Sequence, residues 1–270
     1  MEISHAVILA IVQGLTEFLP ISSTAHLIMV PILSKWPDQG LSFDIALNTG
    51  TWLAVLIYFR GDLLNLFKGF LRTVKERGIK SNPNHDGALA WMVLVGTIPI
   101  GLIGLLAHDI VAHQLRTLQV IAWSSIVWGV VLWIADKNPG RTEVAGLRWP
   151  TAIFVGLAQA LALVPGTSRS GITMTAGLFS GLSRTAAARF SFLLATVVGA
   201  LAAGLEGFKM LKHGLDTPLA PLVIGFIVTF VTAYLAIHYF LKIISRHSMK
   251  GFVAYRVALG IILLVYAYLI

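Results

Sequence analysis

Apolar runs long enough to cross a lipid bilayer recur along this chain, and they restrict it to one class of fold. A helix of about 20 apolar residues spans the hydrocarbon core of a membrane. Six runs of 17 to 23 residues are predicted to do so: Phe43–Phe59, Ala88–Ala107, Leu118–Ala135, Ala186–Phe208, Leu219–Leu241 and Phe252–Ile270. Only 12% of the residues are charged, against about 25% in soluble domains. We therefore expect an all-α integral membrane protein.

Other features of the composition exclude some chemistry and favour one domain. The chain has no cysteine, which excludes disulfides and cysteine-ligated metals. Its first residues lack a basic region followed by a cleavage site, and Glu17 interrupts the first apolar run, so we expect mature structure and not a signal peptide. No linker or low-complexity tract divides the sequence. Residues 1–270 are predicted to form a single membrane domain.

Two more apolar regions are each broken at a proline. The pieces are Ile3–Leu19 and Ala25–Leu33 around Pro20, and Ala152–Val164 and Ile172–Leu182 around Pro165-Gly166. Helical pieces of about 9 to 13 residues rise only about 14 to 20 Å, too little to cross. Non-helical backbone at membrane depth is tolerated only inside protein or beside water. We expect two re-entrant helical hairpins.

Each half of the chain then contains one hairpin followed by three spans. Because three is odd, the second half begins on the opposite side, which predicts two inverted-topology repeats, about 1–136 and 150–270. The segments "QGLTEFLPISSTAHL" and "QALALVPGTSRSGIT" support a repeat, since both run Gln, Leu, Pro and then hydroxyls. Aligning the prolines places Ser22 and Ser23 on Thr167 and Ser168, with a one-residue gap between the glutamines. Broken helices at corresponding positions indicate a central binding site.

Basic residues in the loops predict the orientation, because they accumulate on the cytoplasmic side. One side carries Arg60, Lys68, Arg72, Lys75, Arg77, Lys80, Lys137, Arg141, Arg148, Arg184, Arg189, Lys242, Arg246 and Lys250. The other carries Lys35, Arg116, Lys209 and Lys212. The first side is therefore predicted to be cytoplasmic, with both termini outside. This asymmetry accounts for most of the net charge of +8 without nucleic acid.

The polar residues of the two breaks are candidates for a site, because ionisable groups at membrane depth are costly and usually functional. If the hairpin tips meet, Arg169 faces Glu17, Ser22, Ser23, Thr24 and His26, with Ser168, Ser170 and Thr173 beside it. Arginine binds phosphate oxygens bidentately, and hydroxyls and helix N-termini add donors. A serine near a histidine can be a nucleophile with its base, and a carboxylate can hold Mg²⁺ or Ca²⁺. The set indicates phosphate-ester or diphosphate chemistry on a lipid.

Each of these residues also has a purely structural interpretation. The hydroxyls could bond backbone carbonyls, as they often do in membrane helices. His26 could be a satisfied core residue, and Glu17 could pair with Arg169 as a structural bridge. Arg256, close to the start of its span, is predicted to extend to the cytoplasmic interface. The combination of residues favours a functional site.

The two segments resemble the motifs of a known family. "QGLTEFLPISSTAHL" is similar to [Glu/Gln]-x-x-x-Glu followed by Ser-Ser-Thr-x-His, and "PGTSRSGIT" to Pro-Gly-x-Ser-Arg-Ser-x-x-Thr. Both motifs belong to the undecaprenyl-diphosphatase family, the bacitracin-resistance proteins of bacterial inner membranes. "FVAYR" and "SRTAAARFSFLLA" are also similar to family sequence. The resemblance covers essentially the whole chain.

The resemblance implies removal of the terminal phosphate of undecaprenyl diphosphate, which recycles the carrier lipid of peptidoglycan synthesis, and a fold of six spans plus two re-entrant hairpins. It implies the following roles: Glu17 as motif carboxylate and metal ligand, Ser23 as nucleophile, His26 as acid–base, Arg169 as phosphate ligand, and Gln13, Ser22, Thr24, Gly166, Ser168, Ser170 and Thr173 as substrate-binding residues. Many relatives have glutamate where this chain has Gln13. Whether Ser23 or a water attacks is left open, as is the choice between Mg²⁺ and Ca²⁺.

A second hypothesis comes from the architecture, since inverted repeats and broken helices are also typical of transporters. The protein could move a polyprenyl phosphate across the membrane with the same residues. A transporter needs no nucleophile and base, so Ser23 with His26 favours the enzyme. We expect a polyprenyl diphosphate lipid and membrane lipids as partners, no nucleic acid, and leave a homodimer open. The site is expected to open to the outer, periplasmic face.

Overall fold

The computed structural model describes residues 2–76, 86–106, 115, 117–214 and 216–269. Within these ranges the regular structure is helical, apart from an isolated β-bridge between Thr142 and Leu182. The helices are α1 (Ile3–Thr16), α2 (Ser23–Ser34), α3 (Leu41–Tyr58), α4 (Arg60–Lys75), α5 (Asp86–Leu106), α6 (Leu118–Lys137), α7 (Trp149–Gln159), α8 (Arg169–Phe179), α9 (Arg184–His213), α10 (Leu219–Ile244) and α11 (Lys250–Leu269), with 3-10 turns at Val144–Gly146 and Ala160–Leu163.

Six of these helices are long and apolar enough to cross a membrane: α3, α5, α6, α9, α10 and α11. They coincide with the six predicted spans, so the chain is a multi-pass membrane protein. The predicted ends at Ala107 and Ile270 lie outside the described residues. Helix α9 is longer than predicted at both ends.

The two broken regions are confirmed as pairs of short helices, with shifted boundaries. Helix α1 ends at Thr16, three residues before the predicted end. Helix α7 continues as a 3-10 turn to Leu163, and α8 begins at Arg169, three residues before its predicted start. The re-entrant course of both pairs remains a prediction.

Helix α4 lies where the sequence analysis expected only a loop. Its apolar residues Leu64, Phe67, Leu71 and Val74 are exposed and follow helical spacing along one face. The opposite side packs on α5, where Gly69 has no Cβ and the backbone N of Gly87 approaches closely. Five of its 16 residues are charged, so it contains no long apolar run.

The helices of the two halves pack in matching pairs. Helix α1 packs on α10, and α7, at the corresponding position of the second half, packs on α5. Helix α3 also packs on α10, as α9 does on α5, and α6 packs on α11. The short helix α8 lies among α6, α7 and α9. Helix α8 is therefore enclosed by long helices, whereas α2 packs chiefly on α1.

A cluster of buried aromatic rings fixes the first broken region against α9. Phe192 contacts Phe18 edge-on at 5.3 Å between ring centroids, and it also contacts Phe59 and Phe240. All four rings are almost fully buried. Because Phe18 follows Glu17 directly, this packing holds the Glu17 backbone at the centre of the helix bundle.

Candidate active site

The two breaks share an unusual backbone conformation. Ser22 and Ser168 each precede a helix and have φ of 70° and 68°, values that residues other than glycine rarely adopt. Such a conformation costs about 1–3 kcal/mol and persists only where the surroundings enforce it. Each serine lies nine residues after a buried glutamine, Gln13 or Gln159. The two tips are therefore built alike.

This geometry corrects the register that the prolines suggested. The helices after the breaks begin at Ser23 and at Arg169. Ser22 therefore corresponds to Ser168, and Ser23 to Arg169, and the glutamines then align without a gap. The proline alignment was wrong by one residue, because the positive-φ position starts each helix and the proline does not.

Arg256 of α11 binds backbone carbonyl groups of both tips. Its guanidinium donates to the carbonyl oxygens of Pro20 at 3.2 Å, of Gly166 and Thr167 at 2.9 Å each, and of Ser125 at 3.3 Å. The side chain is fully buried. The prediction that it extends to the membrane interface was wrong, because broken helix ends leave carbonyl groups that need donors inside the protein. The "FVAYR" segment was the sequence signal for it.

Glu17 is the centre of the candidate site. One carboxylate oxygen accepts a hydrogen bond from Arg169 Nη2 at 3.1 Å, so the two tips meet as expected. The other oxygen accepts from Ser23 Oγ at 2.6 Å and from Gln13 Nε2 at 3.2 Å. Asn48 of α3, which the sequence analysis did not identify, accepts from the same Gln13 nitrogen at 3.1 Å. One carboxylate thus connects the Ser23 hydroxyl and the Arg169 guanidinium.

A small cavity of about 90 Å³ lies between the tips. Its lining includes Glu17, Ser22, Ser23 and Thr24 from the first tip, and Val164, Pro165, Gly166, Ser168 and Arg169 from the second. Helices α2 and α8 both begin at this cavity, at Ser23 and Arg169. Helix N-termini carry partial positive charge and unpaired N–H groups, which favour anions. We call it the tip cavity.

A second cavity of about 170 Å³ lies on the other side of the Glu17–Arg169 pair. It runs between α3 and α9, where Asn48, Trp52 and Ala202 are among the residues that line it. Glu17 and Arg169 line both cavities and form the wall between them. We call it the α3–α9 cavity.

His26 points away from the Ser23 hydroxyl. Its Nδ1 lies 2.7 Å from the carbonyl oxygen of Ser22, and its Nε2 lies 2.6 Å from the hydroxyl of Tyr255. A carbonyl can only accept, so Nδ1 carries a proton, and in the neutral ring Nε2 accepts from the tyrosine. In this arrangement Glu17, not His26, accepts from Ser23. Tyr255 adjoins Arg256 in sequence and was not identified from the pattern.

The three predicted hydroxyl residues of the second tip, Ser168, Ser170 and Thr173, differ in what they contact. Ser168 lines the tip cavity and caps α8 by accepting a backbone N–H. Ser170 donates to the carbonyl of Leu19 in the first tip at 2.9 Å. Thr173 Oγ1 lies 2.7 Å from Ser191 Oγ of α9. Ser168 is therefore placed to contact a ligand, whereas Ser170 and Thr173 hold the tips to their surroundings.

The donor set around Glu17 fits a divalent cation that is shared with a substrate. Among the residues described, no group of three or more His, Asp or Glu side chains could hold a metal alone. Mg²⁺, however, is usually bound by one or two carboxylates together with substrate phosphates and waters. Gln13 Oε1 is buried and has no hydrogen-bond partner in the described part of the chain. Glu17 and this oxygen are hard ligands suited to such an ion.

Comparison with known proteins relates the whole chain to one family. A family model described as "Bacitracin resistance protein BacA" matches residues 6–262. A protein of Teredinibacter turnerae named "Undecaprenyl-diphosphatase" is 46% identical over 266 residues, which cover 98% of this chain and 99% of the relative. A protein of Thioalkalivibrio sulfidiphilus with the same name is 49% identical over 266 residues, 98% of each chain. The chain belongs to the BacA family of bacitracin resistance proteins.

Proposed function

We propose that the protein hydrolyses undecaprenyl diphosphate to undecaprenyl phosphate and inorganic phosphate. The observation that carries the proposal is the Glu17 carboxylate, which holds the Ser23 hydroxyl and the Arg169 guanidinium together where two helices begin. This arrangement suits a phosphoryl group, and both relatives carry the name of that activity. The product would be the monophosphate carrier lipid, and its recycling would give resistance to bacitracin.

In the proposed reaction the terminal phosphate occupies the tip cavity. Arg169 and the N-termini of α2 and α8 neutralise its oxygens. Ser23 Oγ attacks the phosphorus, its proton passes to Glu17, and the bond to the bridging oxygen breaks to release the polyprenyl monophosphate. Water then hydrolyses the phosphoserine. A water attacking directly, with Glu17 as base, uses the same groups.

His26 keeps its proposed acid–base role only after one of its two hydrogen bonds breaks. Its ring nitrogens are engaged by Ser22 and Tyr255. With both bonds intact, proton transfer through His26 would run towards Tyr255 and away from the Ser23 hydroxyl. A change in the pH dependence of turnover in Tyr255→Phe is the measurement that would reveal such a route.

A divalent cation, Mg²⁺ or Ca²⁺, is part of the proposal. Glu17 and Gln13 would hold it, and it would supply positive charge to the diphosphate oxygens. Glu17 lines both cavities, and Gln13 is connected to them only by its hydrogen bond to Glu17. The cation would thereby lie beside the diphosphate without a cage of several carboxylates.

We also propose that the paired short helices are re-entrant hairpins in two inverted repeats, in the bacterial inner membrane, with the site open to the periplasm. The matching helix partners of the two halves and the matching serine conformations support this. Single cysteines at Lys75 and Lys212, both exposed, should label from opposite sides of intact cells. Labelling from the same side would contradict the topology.

Phosphate release from undecaprenyl diphosphate by the purified protein in detergent tests the activity. We expect release that stops in chelator and returns with added Mg²⁺ or Ca²⁺. Binding of the lipid without release, with or without added cation, would favour the transporter hypothesis, to which the comparisons give no support.

A further inference from the structure

One face of helix α4 is packed on the rest of the protein. Gly69 lies against the start of α5, and Trp91 of α5 donates a hydrogen bond to Thr73 at 3.0 Å. Nearer the start of α4, Asp62 pairs with Arg189 of α9 at 2.8 Å. Contacts with two different helices fix the rotation of α4 about its own axis. Its other faces therefore point away from the helix bundle in defined directions.

The two faces of α4 that point away from the bundle carry different side chains. One is an apolar stripe, which consists of Leu64, Phe67, Leu71 and Val74. The other is a basic stripe, which consists of Lys68, Arg72 and Lys75. All of these side chains are exposed. An α-helix has 3.6 residues per turn, so the centres of the two stripes are about 90° apart around the axis.

Helix α4 lies at one end of the membrane spans. It begins at Arg60, directly after the span α3 ends at Tyr58. Its contacts with α5 include Gly87 and Trp91, which belong to the first two turns of that span. The 16 residues of α4 measure about 24 Å as a helix. The apolar stripe is therefore held where the hydrocarbon core of the membrane meets the headgroups.

We propose that α4 lies in the membrane surface and binds anionic phospholipids. The apolar stripe lies among the acyl chains, and the basic stripe contacts the phosphate groups of the headgroups. A helix with one apolar face and lysine or arginine on another is typical of surfaces that bind anionic lipid. The proposal does not depend on the proposed hydrolysis, because neither stripe lines the tip cavity or the α3–α9 cavity.

The distribution of charge on α4 is complementary to an anionic surface. Its single acidic residue, Asp62, lies on the packed face and is paired with Arg189. Glu76, directly after the helix, pairs with Arg72 and offsets part of its charge. Lys68 and Lys75 are therefore expected to supply most of the attraction. A soluble partner protein would have to enter the hydrocarbon core to reach the apolar stripe.

Nitroxide labels on single cysteines measure the depth of the two stripes, in a chain that has no cysteine of its own. Phe67→Cys and Leu71→Cys report the apolar stripe, and Lys68→Cys and Lys75→Cys report the basic stripe. The protein is placed in vesicles of phosphatidylcholine and phosphatidylglycerol. We expect the first two labels to be reached by oxygen but not by a water-soluble nickel complex, and the last two to be reached by nickel.

Two results of this experiment would overturn the proposal. Nickel access at all four positions would place α4 in water, away from the acyl chains. Protection of the Phe67 and Leu71 positions from both oxygen and nickel would show that protein, such as a second copy of this chain, covers the apolar stripe.

A bimane fluorophore on Leu71→Cys measures the choice of lipid. Its quenching by phosphatidylglycerol with a nitroxide on the acyl chain is compared with quenching by the same derivative of phosphatidylcholine. We expect the relative association constant to favour phosphatidylglycerol about fivefold or more, or about 1 kcal/mol, the contribution of one lysine near an anionic surface. Salt at about 1 M should bring the ratio close to one, because it screens the charges.

Charge removal then tests whether the preference belongs to α4. Lys68→Gln/Lys75→Gln should bring the ratio close to one. Lys242→Gln/Lys250→Gln, which removes two exposed lysines from α10 and α11, is the matched control and should keep the wild-type ratio. Equal quenching by the two lipids in the wild type would overturn the proposal. An equal fall in both double variants would overturn it too, since the preference would then be a property of the total charge.

Discussion

The two tips have the same backbone and different chemistry. Each has a positive-φ serine nine residues after a buried glutamine, and each starts a helix at the tip cavity. At the first helical position, however, one tip has Ser23 and the other has Arg169. Glu17 in the first tip corresponds to Leu163 in the second, which lines an apolar groove between α5 and α9.

This difference would let two tips of the same backbone geometry take different parts in one reaction. In the proposed reaction the first tip supplies the nucleophile and its proton acceptor, and the second supplies the positive charge for the phosphate. The carboxylate would be costly at this depth without Arg169. Arg256 binds carbonyls of both tips and so stabilises the feature that they share.

The largest expected effect separates Ser23 from its neighbour Ser22. Ser23→Ala should nearly abolish phosphate release, because it removes the proposed nucleophile. Ser22→Ala should cost about 1.5–3 kcal/mol, as for a hydrogen bond to a charged group. Both variants should still bind lipid diphosphate. If Ser23→Ala keeps about a tenth of the rate or more, a loss below about 1.4 kcal/mol, Ser23 is a ligand and a water attacks.

The next largest effect concerns the guanidinium group of Arg169 in the second tip. Arg169→Lys should lower turnover roughly 100- to 1000-fold, about 2.7–4 kcal/mol, which is typical for loss of one transition-state donor. Lysine keeps the charge but replaces a planar fork by a point. Arg189→Lys, in the half-exposed pair with Asp62, is the control and should retain full activity. Near-normal turnover in well-folded Arg169→Lys would make Arg169 structural.

Glu17→Gln tests whether the carboxylate of the first tip holds the divalent cation. We expect lower turnover and a higher concentration of Mg²⁺ or Ca²⁺ for half-maximal rate, because an amide is a weaker cation ligand than a carboxylate. Asp62→Asn, which removes a carboxylate that lines neither cavity of the site, should leave the metal dependence unchanged. Full activity of the wild type in chelator would contradict the metal requirement and would leave Glu17 as a general base.

The smallest effect is expected for Arg256, which binds carbonyl groups of both tips. Arg256→Lys retains the charge but cannot reach several carbonyls at once, so we expect a loss of about 1.5–3 kcal/mol in stability. Thermal unfolding in detergent measures it, with Arg189→Lys as the surface comparison. Equal midpoints for the two variants would contradict the contribution of Arg256 to both tips.

The sequence predicts the spans and the contact between the tips better than it predicts the register of the tips and their long-range hydrogen bonds. Long apolar runs determine the six crossing helices, and the cost of isolated charges makes Glu17 and Arg169 partners. The register was missed because positive φ at Ser22 leaves no mark in hydropathy. Arg256 and the His26–Tyr255 bond were missed because both depend on contacts between residues far apart in the chain.

The central claim is that the two tips act on one phosphoryl group, and a double-mutant cycle tests it most directly. Phosphate release is measured for Glu17→Gln, Arg169→Lys and the double variant, with the wild type. We predict a coupling of about 0.5–3 kcal/mol, the range for residues in contact within one network. Losses that add within about 0.3–0.5 kcal/mol, as for distant independent sites, would contradict the claim.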